Sequence, residues 1–323
     1  QIAQALGCAA LVEFIALDGG LTALTLVDGR LERHELGPLA ATQEDLDWLR
    51  FGLARVLRRH QSSAQRAAAR TATQSAAAAL DHRLVAPLAP VLRDRALVIV
   101  PTGALHELPW PMLPSLHGRP LTVAPSAAAW VDRQVTPGRR PSRTVLVAGP
   151  RLRHAPNEIA GVGELYDRPV VLTGRQATVS AVMGALDGAA IAHLACHGHF
   201  RSDSPLFSSL ELADGPLNVY ELQRLARAPE LIVLSACDLA ISDAGPGDEL
   251  LGFAAALIGM GTRTIIASVV PVPDAAAKRL MIALHRDLTA GRSAAVALAR
   301  AQRALRSAQS PLAGFVCLGT DGR

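Results

Sequence analysis

The chain has 323 residues, half of them apolar, only 3% aromatic, with a formal net charge of +4. At ~100–200 residues per domain, that length suits two domains or one large one with a sizeable core. The basic excess is small, its arginines fall in scattered groups such as Arg55, Arg58 and Arg59 or Arg139 and Arg140, and rings for base stacking are scarce, so nucleic acid is not expected as a direct partner.

Residues 9–36 alternate apolar and polar positions around Asp18-Gly19-Gly20 and Asp28-Gly29, which predicts short antiparallel strands joined by glycine turns. Residues 43–83 read as helix, with Leu46, Leu49, Leu53, Val56 and Leu57 at helical spacing. The Ala/Ser/Gln/Thr-rich part, Gln61 to Ala79, suits either an exposed helix or a linker. Short continuous apolar runs follow: Ala96–Val100, Thr144–Ala148, Ala190–Ala195, Leu231–Leu234 and Thr264–Val270, each ending near Pro, Gly or Ser. Such runs suit strands buried on both faces. Helical patterns lie between and after them, at roughly 154–167, 177–187, 218–226, 248–260, 274–290 and 293–307. Strand–helix alternation of this kind implies an α/β fold, with a mostly parallel sheet flanked by helices. Phe315–Leu318 reads as a last buried strand. The Pro/Gly/Arg-rich stretch 136–143 is the candidate boundary between an N-terminal region, 1–140, and a C-terminal domain, 141–323. One continuous sheet with 136–143 as a surface loop is the alternative.

The cysteines are Cys8, Cys196, Cys237 and Cys317. With no CxxC pair they match no zinc pattern, and they are too few for a disulfide scaffold in so long a chain. We expect no metal, no cofactor and a reducing, cytoplasmic setting. The chain opens on Gln1 rather than Met, so a preceding segment is expected; no signal peptide is evident. The most apolar stretch, 250–272, is interrupted by Arg263, glycines and Pro271, so no membrane span is expected.

Sites in open α/β sheets gather at the carboxyl ends of strands. One predicted strand runs into His197-Gly198-His199 and another into Cys237-Asp238, with 237 − 197 = 40 residues between the two side chains. That is room for one strand–helix–strand connection, which would bring both to one edge. A free thiol has a pKa near ~8.5, so a nearby imidazole is needed to take its proton and later protonate a leaving amine. The bland reading also stands: a cysteine at a strand end is often a small buried hydrophobe, and a histidine there is often structural. Strand alternation puts His193, Ala195 and His197 on one side and Cys196 on the other, in the core. His199 is a rival base.

The segments Ala192–Gly198 (AHLACHG), Pro205–Ser208 (PLFS), Leu212–Leu217 (LADGPL), Leu231–Asp238 (LIVLSACD), Gly247–Gly252 (GDELLG), Ser268–Asp274 (SVVPVPD), Ala297–Leu305 (ALARAQRAL) and Phe315–Gly319 (FVCLG) resemble, in order, the CHAT domain family. Leu97–Trp110 and Ala124-Pro125-Ser126 look like the N-terminal half of that family. The family belongs to the caspase-like clan of cysteine peptidases, with separases and gingipains. The resemblance implies a caspase-like fold with a pseudo-caspase N-terminal half, His197 as acid/base, Cys237 as nucleophile, and an oxyanion held by the backbone at Gly198 and Cys237. It implies a protein or peptide substrate, an upstream TPR-type region and an activating partner. Where many members read SACET or SACDT, this chain has Asp238-Leu239-Ala240, a change at the rim of the site. Asp238, Val269, Val270 and Pro271 are the substrate-side candidates, and Asp203, Asp214, Asp238, Asp243 or Asp248 is the candidate acceptor of a basic side chain. Asp248 also suits a helix N-cap, and the loop 240–247 suits a mobile lid. His106, which follows a strand without a cysteine partner, reads as structural. The alternative function is a catalytically silent interaction module.

Overall fold

The computed structural model describes residues 1–56, 58, 61–135, 143–199, 201, 204–235, 246–270, 272, 274–305 and 314–321. Cys237, Asp238, Pro271 and the loop 240–245 lie outside them, as do Asp203, Asp243 and the boundary stretch 136–142. After a first turn of helix, α1 (Ile2–Leu6), three antiparallel strands follow: β1 (Ala10–Leu17), β2 (Gly20–Val27) and β3 (Arg30–Pro38). Both hairpins turn on Asp-Gly with positive φ at each residue, 49° and 77° at Asp18-Gly19 and 50° and 77° at Asp28-Gly29. That is the turn whose twist matches paired strands.

The helical stretch predicted over 43–83 is two helices, α2 (Leu39–Val56) and α3 (Ser63–Leu84). The Ala-rich part belongs to α3, which starts on a reciprocal cap: Ser62 Oγ accepts from the Gln65 N–H, and Gln65 Oε1 accepts from the Ser62 N–H. A short α4 (Ala89–Leu92), β4 (Leu97–Val100), β5 (Leu121–Val123) and α5 (Ala127–Val135) complete the N-terminal half.

The C-terminal half alternates as expected: β6 (Thr144–Ala148), α6 (Ala155–Gly163), β7 (Val170–Leu172), α7 (Val179–Leu186) and β8 (Ile191–Ala195). A side sheet of β9 (Gly198–His199), β10 (Ser209–Leu212) and β11 (Gly215–Asn218) then interrupts the rhythm. The helical pattern predicted over 218–226 is one turn, α8 (Val219–Leu222). β12 (Leu231–Leu234), α9 (Pro246–Gly259), β13 (Thr264–Ser268), α10 (Asp274–Thr289), α11 (Ala294–Ala304) and β14 (Phe315–Gly319) follow.

Eleven of the described strands form one mixed, mostly parallel sheet, ordered β3-β2-β1-β4-β5-β14-β13-β12-β8-β6-β7. β1, β4, β5 and β14 run parallel to one another, and so do β13, β12, β8, β6 and β7. The two sets meet antiparallel at β13–β14. The carboxyl ends of β4 and β8 therefore emerge at opposite edges of the sheet. Side-chain alternation divides the core by face. Leu146, Ala195, Leu231, Val233 and Ile266 pack with α6, α10 and α11, whereas Val145, Ala192, Leu194, Ile232 and Leu234 belong to the core shared with α7 and α9. Every β8 and β12 position thus points into one packed layer or the other, which is why these strands read as unbroken apolar runs. At the outer edge, β3 exposes Arg30, Glu32, Arg33 and Glu35, charges that discourage pairing with another chain.

Candidate active site

β8 and β12 are parallel neighbours, with Leu231 opposite Ile191 through Leu234 opposite Leu194. The ladder continues one step further, the Ser235 N–H donating to the Leu194 carbonyl at 3.1 Å. His197 follows directly on β8 and is half-buried; His199 is exposed. Cys237 follows Ser235 by two residues and lies outside the described residues, so His197 and Gly198 are the candidates that the structure describes here.

The His197 segment is fixed by its backbone. The Ala195 carbonyl accepts from Gly149 N–H at 2.9 Å, beyond the end of β6, and the His197 carbonyl accepts from Glu211 N–H at 2.8 Å. Gly198 lies opposite Leu210, and His199 opposite Ser209. In an antiparallel pair hydrogen-bonded and non-hydrogen-bonded positions alternate. Because His197 and Glu211 form a bonded pair, the Gly198 N–H points away from β10. Gly149 is needed for the close approach of these segments: a Cβ there would lie 2.8 Å from the Glu211 carbonyl oxygen and 3.0 Å from Cys196 Cα.

Cys196 is core, as strand alternation predicts. It is 1% exposed and packs in the layer of Ala192 and Leu194. Burial pushes its thiol up to about 12, so it stays protonated and inert. Cys317 in β14 is likewise buried, with its thiol pushed well up by burial and by Asp321.

Beneath the two strand ends lies a buried polar chain. His193 of β8 has both ring nitrogens engaged: Nε2 is 2.8 Å from Glu158 Oε1 on α6, and Nδ1 is 2.8 Å from His285 Nε2 on α10. His285 Nδ1 is 2.7 Å from the Tyr166 hydroxyl. Ser235 Oγ donates to the same Glu158 Oε1. Glu158, His193 and His285 are each 0% exposed. Burial and the neighbouring His193 hold His285 well below the ordinary imidazole range, so it is neutral. Two proton arrangements satisfy the chain, with Tyr166 donating towards His193 or accepting from it. In both, His193 Nε2–H donates to Glu158, because a carboxylate can only accept. Sequence reasoning placed His193 inside its strand but missed Glu158, Ser235 and His285. A signal was present: Glu158 and His285 are polar residues on otherwise apolar helical stripes, Ala155-Ile159-Val162 and Ala277-Leu280-Met281-Leu284.

On the substrate side, Val269 and Val270 are 3% and 5% exposed, and the Val269 N–H donates to the Gly314 carbonyl at 3.0 Å. β13 is paired on both sides. Asp214 accepts from the Val179 N–H at 2.8 Å and so holds the start of α7. The side chain of Asp248 is not among those described. His106 sits in a 3₁₀ turn after β4, at the edge of the sheet opposite His197. Among the described residues, no group of three His, Cys, Asp or Glu is placed to hold a metal ion, and no helix is long and apolar enough to cross a membrane.

The sequence model of the CHAT domain matches residues 74–319. No curated protein sequence matches the chain. Among solved structures, the separase–securin complex of Saccharomyces cerevisiae aligns over 99% of this chain with a TM-score of 0.70 at 10% identity. A second structure of that complex gives a TM-score of 0.67 at the same identity and coverage. The match takes in 30% of the separase chain, so this chain spans about a third of that relative's length. The Arg-specific cysteine proteinase gingipain R aligns over 85% of this chain and 74% of its own, at 13% identity and a TM-score of 0.47. The helix-flanked sheet is thus of caspase-like type, shared with separase, and the chain belongs to the CHAT domain family.

Proposed function

We propose that this chain is a cysteine endopeptidase with Cys237 as nucleophile and His197 as general base and acid. The observation that carries this reading is a register. β8 and β12 are adjacent and parallel with an offset of 231 − 191 = 40 residues, and His197 and Cys237 are separated by the same 40 residues. Chemistry that needs an imidazole beside a thiol fits residues at equal height on neighbouring strands.

In the proposed reaction His197 takes the Cys237 proton, and the thiolate attacks the scissile carbonyl carbon. The backbone N–H groups of Gly198 and Cys237 receive the oxyanion; the Gly198 N–H, directed away from β10, supports that role. His197 then protonates the leaving amine, and water hydrolyses the thioester by the same route in reverse order. Asp238, Val269, Val270 and Pro271 form the substrate-side rim of the proposal. The burial of both valine side chains means that any contact they make is through backbone. Regulation by a partner protein or a preceding TPR-type region completes the reading; securin in the matched separase complex is the precedent for a bound protein.

The test is labelling by a library of peptidyl electrophiles directed at thiols. We expect covalent labelling of Cys237, lost in Cys237→Ala and strongly slowed in His197→Ala. A folded protein that no member of the library labels at Cys237 would overturn the proposal and leave the interaction module.

A further inference from the structure

We propose that Glu158 is a positioning residue for the candidate dyad, a buried clamp whose Oε1 joins the strand end before His197 to the strand end before Cys237. The inference rests on the reading of His197 and Cys237 as base and nucleophile. Its starting point is an energetic oddity. A fully buried carboxylate is costly to desolvate, and replacing such a polar group and its partners by well-packed apolar residues is often neutral or stabilising. Stability alone therefore does not explain Glu158, buried to 0% exposure among Ala155, Ile159 and Val162.

Its geometry offers a reason. Oε1 accepts from His193 Nε2, on β8, and from Ser235 Oγ, just past β12. His193 lies four residues before His197, and Ser235 two before Cys237. The last described ladder bond between these strands is Ser235 N–H to the Leu194 carbonyl. Where the backbone ladder stops, the shared carboxylate oxygen takes over and fixes the two strand ends in height relative to each other. The clamp is braced from the far side: His285 on α10 holds His193 Nδ1, and Tyr166 holds His285. Every titratable group facing Glu158 in this cluster is engaged with another, from α6, β8 and α10 alike. A base acting on a thiol loses efficiency steeply with sub-ångström misplacement, so a rigid link beneath the pair matches what the dyad would require.

The experiment follows the rate of Cys237 alkylation by iodoacetamide against pH, read by mass spectrometry of the Cys237 peptide in the intact chain. No substrate is needed. Cys8 is exposed and serves as an internal standard, whereas Cys196 and Cys317 are buried. His197→Ala reports on the parent reading; Ser235→Ala and Glu158→Gln report on the clamp. We expect all three to move the Cys237 profile to higher pH, with the two clamp variants slowing alkylation at neutral pH about tenfold, while Cys8 is unaffected. A shift in His197→Ala without one in Ser235→Ala and Glu158→Gln would overturn the clamp alone. An unchanged profile in His197→Ala would overturn the dyad. Should Glu158→Gln fail to fold, Ser235→Ala, which removes a single hydroxyl, decides the matter.

Discussion

The two halves of the sheet treat buried polarity differently. In the N-terminal half the core around β1, β4 and β5 is apolar, with Phe14 stacked on Trp110 at 5.3 Å between ring centroids. Its buried polar groups are satisfied in small local sets: Asp81 takes the Ser115 N–H and hydroxyl, and Thr25 pairs with His34. In the C-terminal half a chain of five polar side chains, Tyr166, His285, His193, Glu158 and Ser235, runs from α10 to the end of β12. The strand ends differ to match. β4 leads into His106 at one edge, and β8 into His197 at the other, beside β12. One half is built as scaffold, and the polarity is concentrated under the strand ends that carry the proposed chemistry.

The sharpest way to break that comparison is to exchange the fates of the two histidines. His197→Ala should slow Cys237 labelling by about 10²–10⁴-fold, the range for a lost general base, while His106→Ala leaves it unchanged in folded protein. Equal losses would erase the distinction between the halves. Next in size, Trp110→Ala should lower unfolding free energy by ~3–5 kcal/mol through the cavity it leaves against Phe14, read from urea denaturation, without moving the alkylation profile of protein that remains folded.

A smaller effect is expected from His285→Leu, which strands His193 Nδ1 at a cost of ~1–3 kcal/mol near neutral pH. Its pH signature is more telling. The folded pKa of His285 lies below the unfolded value near ~6.5, so below that pH the unfolded chain binds a proton that the folded chain refuses. Stability is then full above ~6.5 and falls as the pH drops from there. In His285→Leu the slope between about pH 5 and 6.5 should flatten; an unchanged slope would place the titration elsewhere. Smallest of all, Arg95→Ala removes the paired contacts to Asp28 at 3.0 and 2.7 Å, beside the second hairpin turn. With Asp28 62% exposed, we expect less than about 1 kcal/mol.

The long apolar runs were legible because burial on both faces leaves no alternation to misread: Leu97–Val100, Thr144–Ala148, Ile191–Ala195, Leu231–Leu234 and Thr264–Ser268 all form strands. The Asp-Gly hairpins were legible from turn chemistry. β5, β7 and the side sheet β9–β11 were not singled out, since segments of two to four residues are too short to carry a period. The break between α2 and α3 was hidden by alanines that suit helix on either side of it. At the site, the position of His197 after β8 and the core placement of Cys196 followed from alternation. Glu158 and His285 were invisible for a physical reason: a lone polar residue on a helix is read as solvent-facing, and only tertiary packing revealed the partners that make its burial tolerable.

The place of β14 carries a consequence for how such a chain is made. It lies furthest along the sequence of the eleven strands, yet it is inserted near the middle of the sheet, between β5 and β13. Until residues 315–319 have left the ribosome, β5 and β13 each present an unpaired edge, and the two halves share no backbone ladder across that gap. The contacts that join them span nearly the whole chain, the kind that form late and slowly. Synthesis itself therefore sets the order of events, and the edge that would bear a proteolytic centre is not braced until translation has almost run its course.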